Sequence, residues 1–320
     1  MPNYNGVWSL STQYQYAADW AADNVIPDVT IGLYFGGYTN TYVNVIQQIN
    51  FNSGSDASDF GDLLAAIYNG AGVSSSTRGV NGGGESNNET NVIQYVTISS
   101  AGNATDFGDL AEATTSLAGG GNNTRGIFAA GNNGSSKLNV MQYITIANTG
   151  NTTDFGDMSG VKENVSGLSS TTRTIFLGGR TGSTYHNVIE FVTTGSTGNT
   201  TDFGNLLAGK AFGAASSNSI RGLYFGGYDG NTQNVIQFIT IASAGNAQDF
   251  GDLLAVNAFH ASCASPLTAL VLGGTPDANV PINTIQGVTI ATTGNSTDFG
   301  DLTAASYNPS ACSNAHGGIA

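Results

Sequence analysis

The chain has few charged residues, and most of those it has are acidic. Asp, Glu, Lys and Arg make up 9% of the 320 residues, against roughly 25% in a typical soluble domain. Eight Lys and Arg stand against 22 Asp and Glu, which gives a formal net charge of −14. Because nucleic acids and anionic membrane surfaces are themselves negative, this balance excludes them as expected partners.

Cysteines and long apolar runs are also scarce. Two cysteines, Cys263 and Cys312, are too few for a disulfide framework. No apolar run reaches the roughly 18 residues of a membrane span. The first residues, Met1 to Tyr4, carry neither the basic start nor the apolar core of a secretory signal. We therefore expect synthesis in a reducing cytosol and no insertion into a membrane.

Glycine, in contrast, is abundant, with 45 residues against 6 prolines, and it marks the turns of an internal repeat. The tripeptide Asp-Phe-Gly occurs six times, at successive spacings of 47, 48, 48, 47 and 49 residues. The aspartates of these copies are Asp59, Asp106, Asp154, Asp202, Asp249 and Asp298. A repeat of this length indicates an array of similar structural units, such as a propeller.

Each unit contains four short segments with the composition of β-strands. A small-residue segment is followed by an apolar run that ends in two glycines, as in residues 222–227. After a variable loop comes a run such as residues 91–98, and a Gly-Asn turn leads into the Asp-Phe-Gly segment. The runs are rich in Val, Ile, Thr, Tyr and Phe, as strands are.

Residues 91–98 carry apolar side chains on both faces of the predicted strand, so the sheet must be covered on both sides. Sheets that stack radially around an axis meet this requirement. Four strands per unit, repeated six times, predict an all-β fold, a six-bladed β-propeller with four-stranded blades.

The order of the segments resembles the kelch repeat, in which a strand ending in a glycine doublet is followed by a spaced Tyr and Trp. Tyr95, Tyr143 and Phe238 stand near the kelch Tyr, and the Phe of Asp-Phe-Gly stands in place of the Trp. The resemblance covers about residues 30–320 and implies a kelch-like propeller. It implies little about function, because propellers have many functions.

The array starts in the middle of a unit. Residues 32–35 correspond to a second strand, whereas residues 306–316 align with the opening segments of the other units. We expect the C-terminal strand to complete the first blade, formed by residues 31–66, because this removes two open sheet edges. The alternative is a seventh unit that is missing.

Residues 1–29 lie outside the repeat and hold both tryptophans of the chain. Aromatic segments outside a closed core usually pack on their own domain or on another subunit. The Trp-Ser-Leu-Ser and Tyr-Gln segments, with the Gly/Asn/Ser-rich repeats, resemble tailed-phage virion proteins. This resemblance implies an N-terminal arm that attaches the 30–320 propeller to other virion proteins, in a homo- or hetero-oligomeric assembly, through Trp8, Tyr14 and Trp20. The alternative is a latch folded back on the propeller.

Charged residues recur at fixed repeat positions, which favours a structural role. Four of the five arginines precede the strand with the glycine doublet; they are Arg78, Arg125, Arg173 and Arg221. We predict that they join neighbouring blades by binding a carboxylate or carbonyls of an adjacent Asp-Phe-Gly-Asp turn. The six aspartates would then be part of the inter-blade structure, because neither the companion motifs of a kinase nor the spacing of a calcium loop is present.

No set of residues for catalysis or metal binding stands out. His186, His260 and His316 lie in different units, and no strained nucleophile turn is evident. His260 lies three residues from Cys263, which leaves a soft metal site as an alternative to buried core cysteines. We expect no enzyme activity, no metal and no cofactor; the alternatives are a propeller oxidase, which resembles galactose oxidase, and a glycan hydrolase.

The loops after the glycine doublets vary most and share one rim of a propeller, where recognition usually occurs. Tyr38, Tyr42, Tyr185 and Tyr228 place aromatic rings there among amides and hydroxyls. We expect a structural protein of a bacteriophage virion, in a tail fibre or surface decoration, whose rim loops recognise a host-surface glycan or receptor. A non-viral carbohydrate-binding module is the alternative.

Overall fold

The computed structural model describes residues 29–276 and 280–319. Within these two ranges the chain forms 26 β-strands and no helix, and so offers no helical segment of the length and apolarity that a membrane crossing requires. The residues expected to attach the arm, Trp8, Tyr14 and Trp20, lie outside the described ranges. Six antiparallel four-stranded sheets account for all strands except one short hairpin.

We number the six sheets as blades I to VI. Blade I consists of β26 (Ser310–Ser313), β1 (Ile31–Phe35), β2 (Val45–Asn50) and β3 (Ser58–Asp62). Blade II consists of β4 (Ala71–Ser74), β5 (Arg78–Gly82), β6 (Val92–Thr97) and β7 (Thr105–Asp109). Blade III consists of β8 (Ala118–Gly121), β9 (Arg125–Ala129), β10 (Leu138–Thr145) and β11 (Thr153–Lys162).

Blade IV consists of β12 (Ser166–Ser169), β13 (Arg173–Leu177), β16 (Val188–Thr193) and β17 (Thr201–Asn205), with the extra hairpin β14 (Arg180–Thr181) and β15 (Thr184–Tyr185). Blade V consists of β18 (Ala214–Ser217), β19 (Arg221–Phe225), β20 (Val235–Thr240) and β21 (Gln248–Asp252). Blade VI consists of β22 (Ala261–Ala264), β23 (Thr268–Leu272), β24 (Thr284–Thr289) and β25 (Thr297–Asp301).

The first strand of each blade lies at the axis, where it contacts the first strands of both neighbouring blades. In blade I this inner strand is β26, which pairs with β1 so that Tyr34 lies opposite Ala311. The predictions of six four-stranded blades and of closure by the C-terminal strand are therefore confirmed.

The hydrophobic core lies between the blades. The phenylalanine of Asp-Phe-Gly is buried in the first five copies; Phe60 of blade I, for example, belongs to the same cluster as Val96 and Ile98 of blade II. Each sheet is thus covered on both faces by its neighbours, which explains why the third strands are apolar on both sides.

Two repeated contacts join the outer parts of neighbouring blades. Each Gly-Asn turn binds the outer strand of the blade before it: Gly102 N donates to Phe60 O (2.8 Å), and Asp62 N donates to Asn103 Oδ1 (3.0 Å). At the junction between blades VI and I, Asp56 takes the place of the asparagine and accepts from Asp301 N at 3.0 Å. The ring closes with the same contact that joins its other blades.

The second contact uses a side chain buried in the third strand. The Oε1 of Gln94 accepts from Leu64 N at 2.7 Å, and equivalent bonds recur at all six junctions. Blade IV has Glu190 where the others have glutamine, and this buried carboxylate pairs with Lys162. The sequence analysis did not identify this contact, although a Gln at the same position in five repeats was a visible signal.

The arginine contacts differ from the prediction. Arg78 donates from Nη1 to Ile146 O (2.9 Å) and Ala147 O (2.8 Å), which follow the third strand of the next blade. Its guanidinium also lies 4.6 Å from the ring centroid of Tyr95 in its own blade. Arg125, Arg173 and Arg221 repeat this arrangement.

The partner predicted for the arginines, an Asp-Phe-Gly-Asp turn, was wrong. The side chains of Asp59, Asp106, Asp154, Asp202, Asp249 and Asp298 are exposed. The ion pairs in the described ranges join Lys137 and Arg180 to Glu163 and Lys162 to Glu190, and none includes these aspartates. The segment acts between blades through its backbone and its phenylalanine, because an outer strand turns alternate side chains to solvent.

Candidate functional site

One end of the propeller carries the variable loops between the second and third strands and the connections between blades. We call this end the loop face. The two kinds of segment pair with each other at each junction, for example Tyr38 with Tyr307 and Glu163 with Arg180. These backbone pairs hold the variable loops on the scaffold, which limits the entropy that a ligand must remove on binding.

Aromatic side chains form a continuous row on the loop face. Tyr42 and Tyr68 stack with a centroid distance of 5.3 Å and an interplanar angle of 22°. Tyr38 contacts Tyr42 at 5.5 Å and Tyr307 at 5.4 Å. These rings are only partly buried, so their faces and edges remain accessible to a ligand.

The row continues across blades VI and V. Tyr307 contacts Phe259 at 6.4 Å, and Phe259 contacts Phe212 at 4.4 Å. We refer to the row as the aromatic arc; its members are Tyr42, Tyr68, Tyr38, Tyr307, Phe259 and Phe212. Four of them lie on connections between blades, where their repeat positions hold other residue types in the remaining units, so the sequence repeat gave no reason to group them.

The four predicted tyrosines fall into two separate pairs. Tyr38 and Tyr42 belong to the aromatic arc, whereas Tyr185 of blade IV contacts Tyr228 of blade V at 5.8 Å. All four are on the loop face and partly buried. The structure thus pairs these tyrosines within one loop and across two adjacent blades, while the larger aromatic surface includes residues that the sequence analysis missed.

The aromatic arc borders a pocket of about 90 Å³ at the axis, which we call the axial cup. Two consecutive residues from each junction line it. The first residue of each two has a left-handed backbone; these six are Asn69, Ser116, Asn164, Phe212, Phe259 and Asn308. Asparagine tolerates this conformation, but it is rare for a bulky residue such as Phe212 (φ 58°) or Phe259 (φ 59°).

Backbone hydrogen bonds between these residues run around the rim of the axial cup. Ser116 N donates to Asn69 O (2.9 Å), and Asn164 N donates to Ser116 O (2.9 Å). On the other side Asn308 N donates to Phe259 O at 2.6 Å. The amide side chains of one half and the phenyl rings of the other are therefore held on a rigid rim, a combination that suits a ligand with both polar and apolar faces.

His260 lies in the wall of the axial cup and is 5% exposed. Its ring nitrogens face the carbonyls of Phe225 and Ala258, but neither makes a well-directed hydrogen bond. Burial lowers the pKa of His260 to about 4, so the imidazole is neutral at physiological pH.

Two phenols of the aromatic arc, those of Tyr68 and Tyr307, have raised pKa values. Burial, followed by the charge of Glu85, raises the pKa of Tyr68 to about 12. Burial and the neighbouring Tyr38 also raise the pKa of Tyr307. Both phenols therefore keep their protons and can act as hydrogen-bond donors and acceptors.

At the opposite end, residues 314–319 cross the central channel. Gly317 N donates to Ser217 O of blade V (2.9 Å), and Gly318 O accepts from Asn123 N of blade III (3.1 Å). The side chain of His316 lies 3.3 Å from Ser74 O of blade II. This tail covers that end of the channel, so the axial cup opens towards the loop face.

The two cysteines lie within the packing between blades. The Sγ of Cys263 lies against Gly32, and that of Cys312 against Gly79. Burial raises the pKa of the Cys312 thiol to about 12 and that of the Cys263 thiol as well. Within the described ranges no three His, Cys, Asp or Glu side chains come together as a metal site.

No protein-family model matches the chain. No curated protein matches it either.

Proposed function

We propose that the chain is a bacteriophage virion protein whose loop face binds saccharides on a host surface. The observation that carries this proposal is the aromatic arc beside the axial cup. Saccharide rings have apolar faces that stack on aromatic side chains and hydroxyl edges that need hydrogen-bond partners. The arc and the amides of the cup provide both kinds of group on one rigid surface.

The architecture also suits attachment. Backbone pairing fixes the loops on a closed ring of blades, so little conformational entropy is lost when a ligand binds. A single shallow site of this kind binds weakly. Several copies in a tail fibre or surface decoration raise the effective affinity by avidity.

The proposed location in a virion rests on a resemblance in the sequence. The kelch-like repeat, the Gly/Asn/Ser-rich composition and the N-terminal segment with Trp8 and Trp20 resemble tailed-phage virion proteins. In this proposal residues 1–29 attach the propeller to other virion proteins, in an oligomeric assembly made in the host cytoplasm, with no cofactor and no nucleic acid or membrane partner.

The proposal is tested by binding of the full chain to an array of neutral and acidic surface glycans, followed by calorimetry on any that bind. Tyr42→Ala removes a stacking surface and is expected to weaken binding about two- to tenfold, because an aromatic contact of this kind contributes roughly 0.5–1.5 kcal/mol. Tyr42→Phe keeps the ring and is expected to retain most of the affinity. Leu267→Ala, on the opposite end of the propeller and 73% exposed, is the control.

Failure of the wild-type chain to bind any saccharide on the array would contradict the proposal. So would unchanged binding by Tyr42→Ala at a melting temperature equal to that of the wild type. Loss of adsorption by particles that lack this chain is the corresponding result in the virion.

A further inference from the structure

The cations of the chain have an uneven distribution. Four of the eight, the repeated arginines, bind carbonyls between blades. The other four lie on the loop face, on loops and connections of blades III to V; they are Lys137, Lys162, Arg180 and Lys210. Although the chain has a net charge of −14, all of its cations that are not used between blades therefore lie in this one sector of the loop face.

Arg180 links this sector to the axial cup. Its guanidinium carbon lies 4.7 Å from the ring centroid of Phe212, which is both the end of the aromatic arc and part of the wall of the cup. The side chain of Arg180 is 34% exposed. A positive group therefore stands at the boundary between the cup and solvent, where a ligand on the arc can reach it.

Arg180 is held in place by its other contacts. Its backbone pairs with that of Glu163, and its Nε lies 2.9 Å from Oε1 of the same residue. The two terminal nitrogens of the guanidinium meet no acceptor in the described parts of the chain. This leaves one edge of a fixed, planar donor free, which is the geometry that binds a carboxylate through two hydrogen bonds.

Glu163 does not cancel the positive charge of this sector. Its Oε2 lies 2.9 Å from Lys137 Nζ and accepts from Asn132 Nδ2 at 3.1 Å, so two cations share one carboxylate. Lys162 is neutralised by Glu190, and Lys210 has Asp229 as its nearest acidic influence. Arg180 therefore has only a shared carboxylate as its counter-ion, while Glu112 and Glu89 lie against the loop of Lys137 at Asn133 and Gly134.

The other end of the aromatic arc has the opposite character. Glu85 faces Tyr68, and the backbones of the two residues pair with each other. An anionic ligand is therefore repelled from the Tyr68 end and attracted to the Phe212 end. This difference in potential gives the surface a preferred orientation for a charged ligand.

We propose that the loop face selects acidic saccharides, with the carboxylate of a uronic-acid unit bound by the free edge of Arg180 and the sugar ring on Phe212 and Phe259. The inference rests on the proposed function and specifies the ligand class. The charge on the ligand supplies selectivity, while the aromatic arc supplies contact area common to neutral and acidic sugars.

The experiment compares two probes on the full chain by calorimetry: an oligosaccharide of four galacturonic acid units, and the same oligosaccharide with every carboxyl methyl-esterified. We expect the acid to bind about tenfold more tightly than the ester at low salt, which corresponds to about 1.4 kcal/mol. The preference should decrease at higher ionic strength, since the site is partly exposed to solvent.

Arg180→Gln is expected to abolish the preference for the acid, measured as the ratio of the dissociation constants of the two probes for this one variant. Arg180→Lys keeps the charge without the planar fork, and we expect a reduced preference. Glu85→Gln changes the charge by one unit of the opposite sign at the other end of the arc and serves as the matched control. The preference for the acid should be kept or increased, because the carboxylate that is removed repels an anionic ligand. Melting temperatures identify any variant that is unfolded, and Arg180→Lys then provides the test.

Equal binding of acid and ester by the wild type would overturn this inference, as would a preference that survives in Arg180→Gln. Absence of binding by both probes overturns it as well. The proposed function is judged separately, because binding of neutral glycans on the array supports a saccharide-binding face even where the preference for carboxylates is absent.

Discussion

Single residues in this propeller often contribute to its structure through their backbone or through a side chain that is buried and neutral. His260 is the clearest case, because it is buried in the wall of the axial cup with no well-directed hydrogen bond. Glu190 shows the converse. Although its burial opposes ionisation, hydrogen bonds from Lys162 and Thr200 lower the pKa of its carboxyl, so a charge replaces the glutamine of the other blades at the cost of a buried counter-ion.

His260 should make the protein sensitive to mild acid. Its pKa is about 4 in the folded chain and about 6.5 in the unfolded chain, so the unfolded state binds more protons between these values. The contribution of the neutral imidazole to the free energy of unfolding is complete above pH 6.5 and is lost as the pH falls towards 4. The loss is about 1.4 kcal/mol for each unit by which the folded and unfolded pKa values differ.

Urea denaturation of the wild type and of His260→Leu between pH 7.5 and 4 measures this effect. The variant should lose less stability over that range, whatever its stability at neutral pH. His186→Asn is the control, because His186 is less deeply buried. Parallel pH profiles for the wild type and His260→Leu would contradict the assignment.

At the scale of strands and turns, the junctions depend on a close approach between neighbouring backbones. The glycine of Asp-Phe-Gly makes this possible: a Cβ on Gly108 would lie 2.3 Å from Gly150 O, and its φ of 145° disfavours other residues. Because the glycine leaves room, Phe107 O of the outer strand accepts a hydrogen bond from Gly150 N. The repeated Gly-Asn turn thus fits a groove that only glycine leaves open.

Gly108→Ala should therefore destabilise the chain, by roughly 2 kcal/mol or more, because both the backbone conformation and the contact are strained. Gly102→Ala is the matched control, since a Cβ there meets no atom within 4 Å. Urea denaturation gives the comparison. Equal stability of the two variants would show that the junction can move apart without cost.

The repeat in the sequence was enough to predict the strands, the blade count and the closing strand, because the spacing of Asp-Phe-Gly and the apolar pattern are local signals. The arginine partner was not predictable, because a backbone carbonyl such as Ile146 O has no signature in the sequence. The axial cup was missed for a related reason. Asn69 and Phe212 share a left-handed backbone but no chemistry, so their equivalence is visible only in three dimensions.

At the scale of the whole molecule, stability depends on closing the ring. β26 supplies the inner strand of blade I and contacts the inner strands of blades II and VI. The tail after it anchors the first described residues: Asn314 accepts from Ile31 N through Oδ1 (2.8 Å) and donates from Nδ2 to Val29 O (3.1 Å). Both ends of the described chain thus meet at blade I, and the C-terminal end supplies the inner strand of that blade. We therefore expect the two termini to differ sharply in their importance for folding.

Two truncations separate these roles. Deletion of residues 1–28 leaves the strands of the described ranges and the closing pair intact. The shortened chain should therefore melt at the temperature of the full chain and remain monomeric, while it loses incorporation into its assembly. Deletion of residues 310–320 removes β26 and exposes the edge of β1 (Ile31–Phe35), where Tyr34 and Phe35 are now fully buried. An open apolar edge pairs with other chains, so this variant should form oligomers and lose its cooperative transition. Thermal melting with light scattering distinguishes the two, and a large loss of stability on removal of residues 1–28 would instead identify the N-terminal segment as a latch on the propeller.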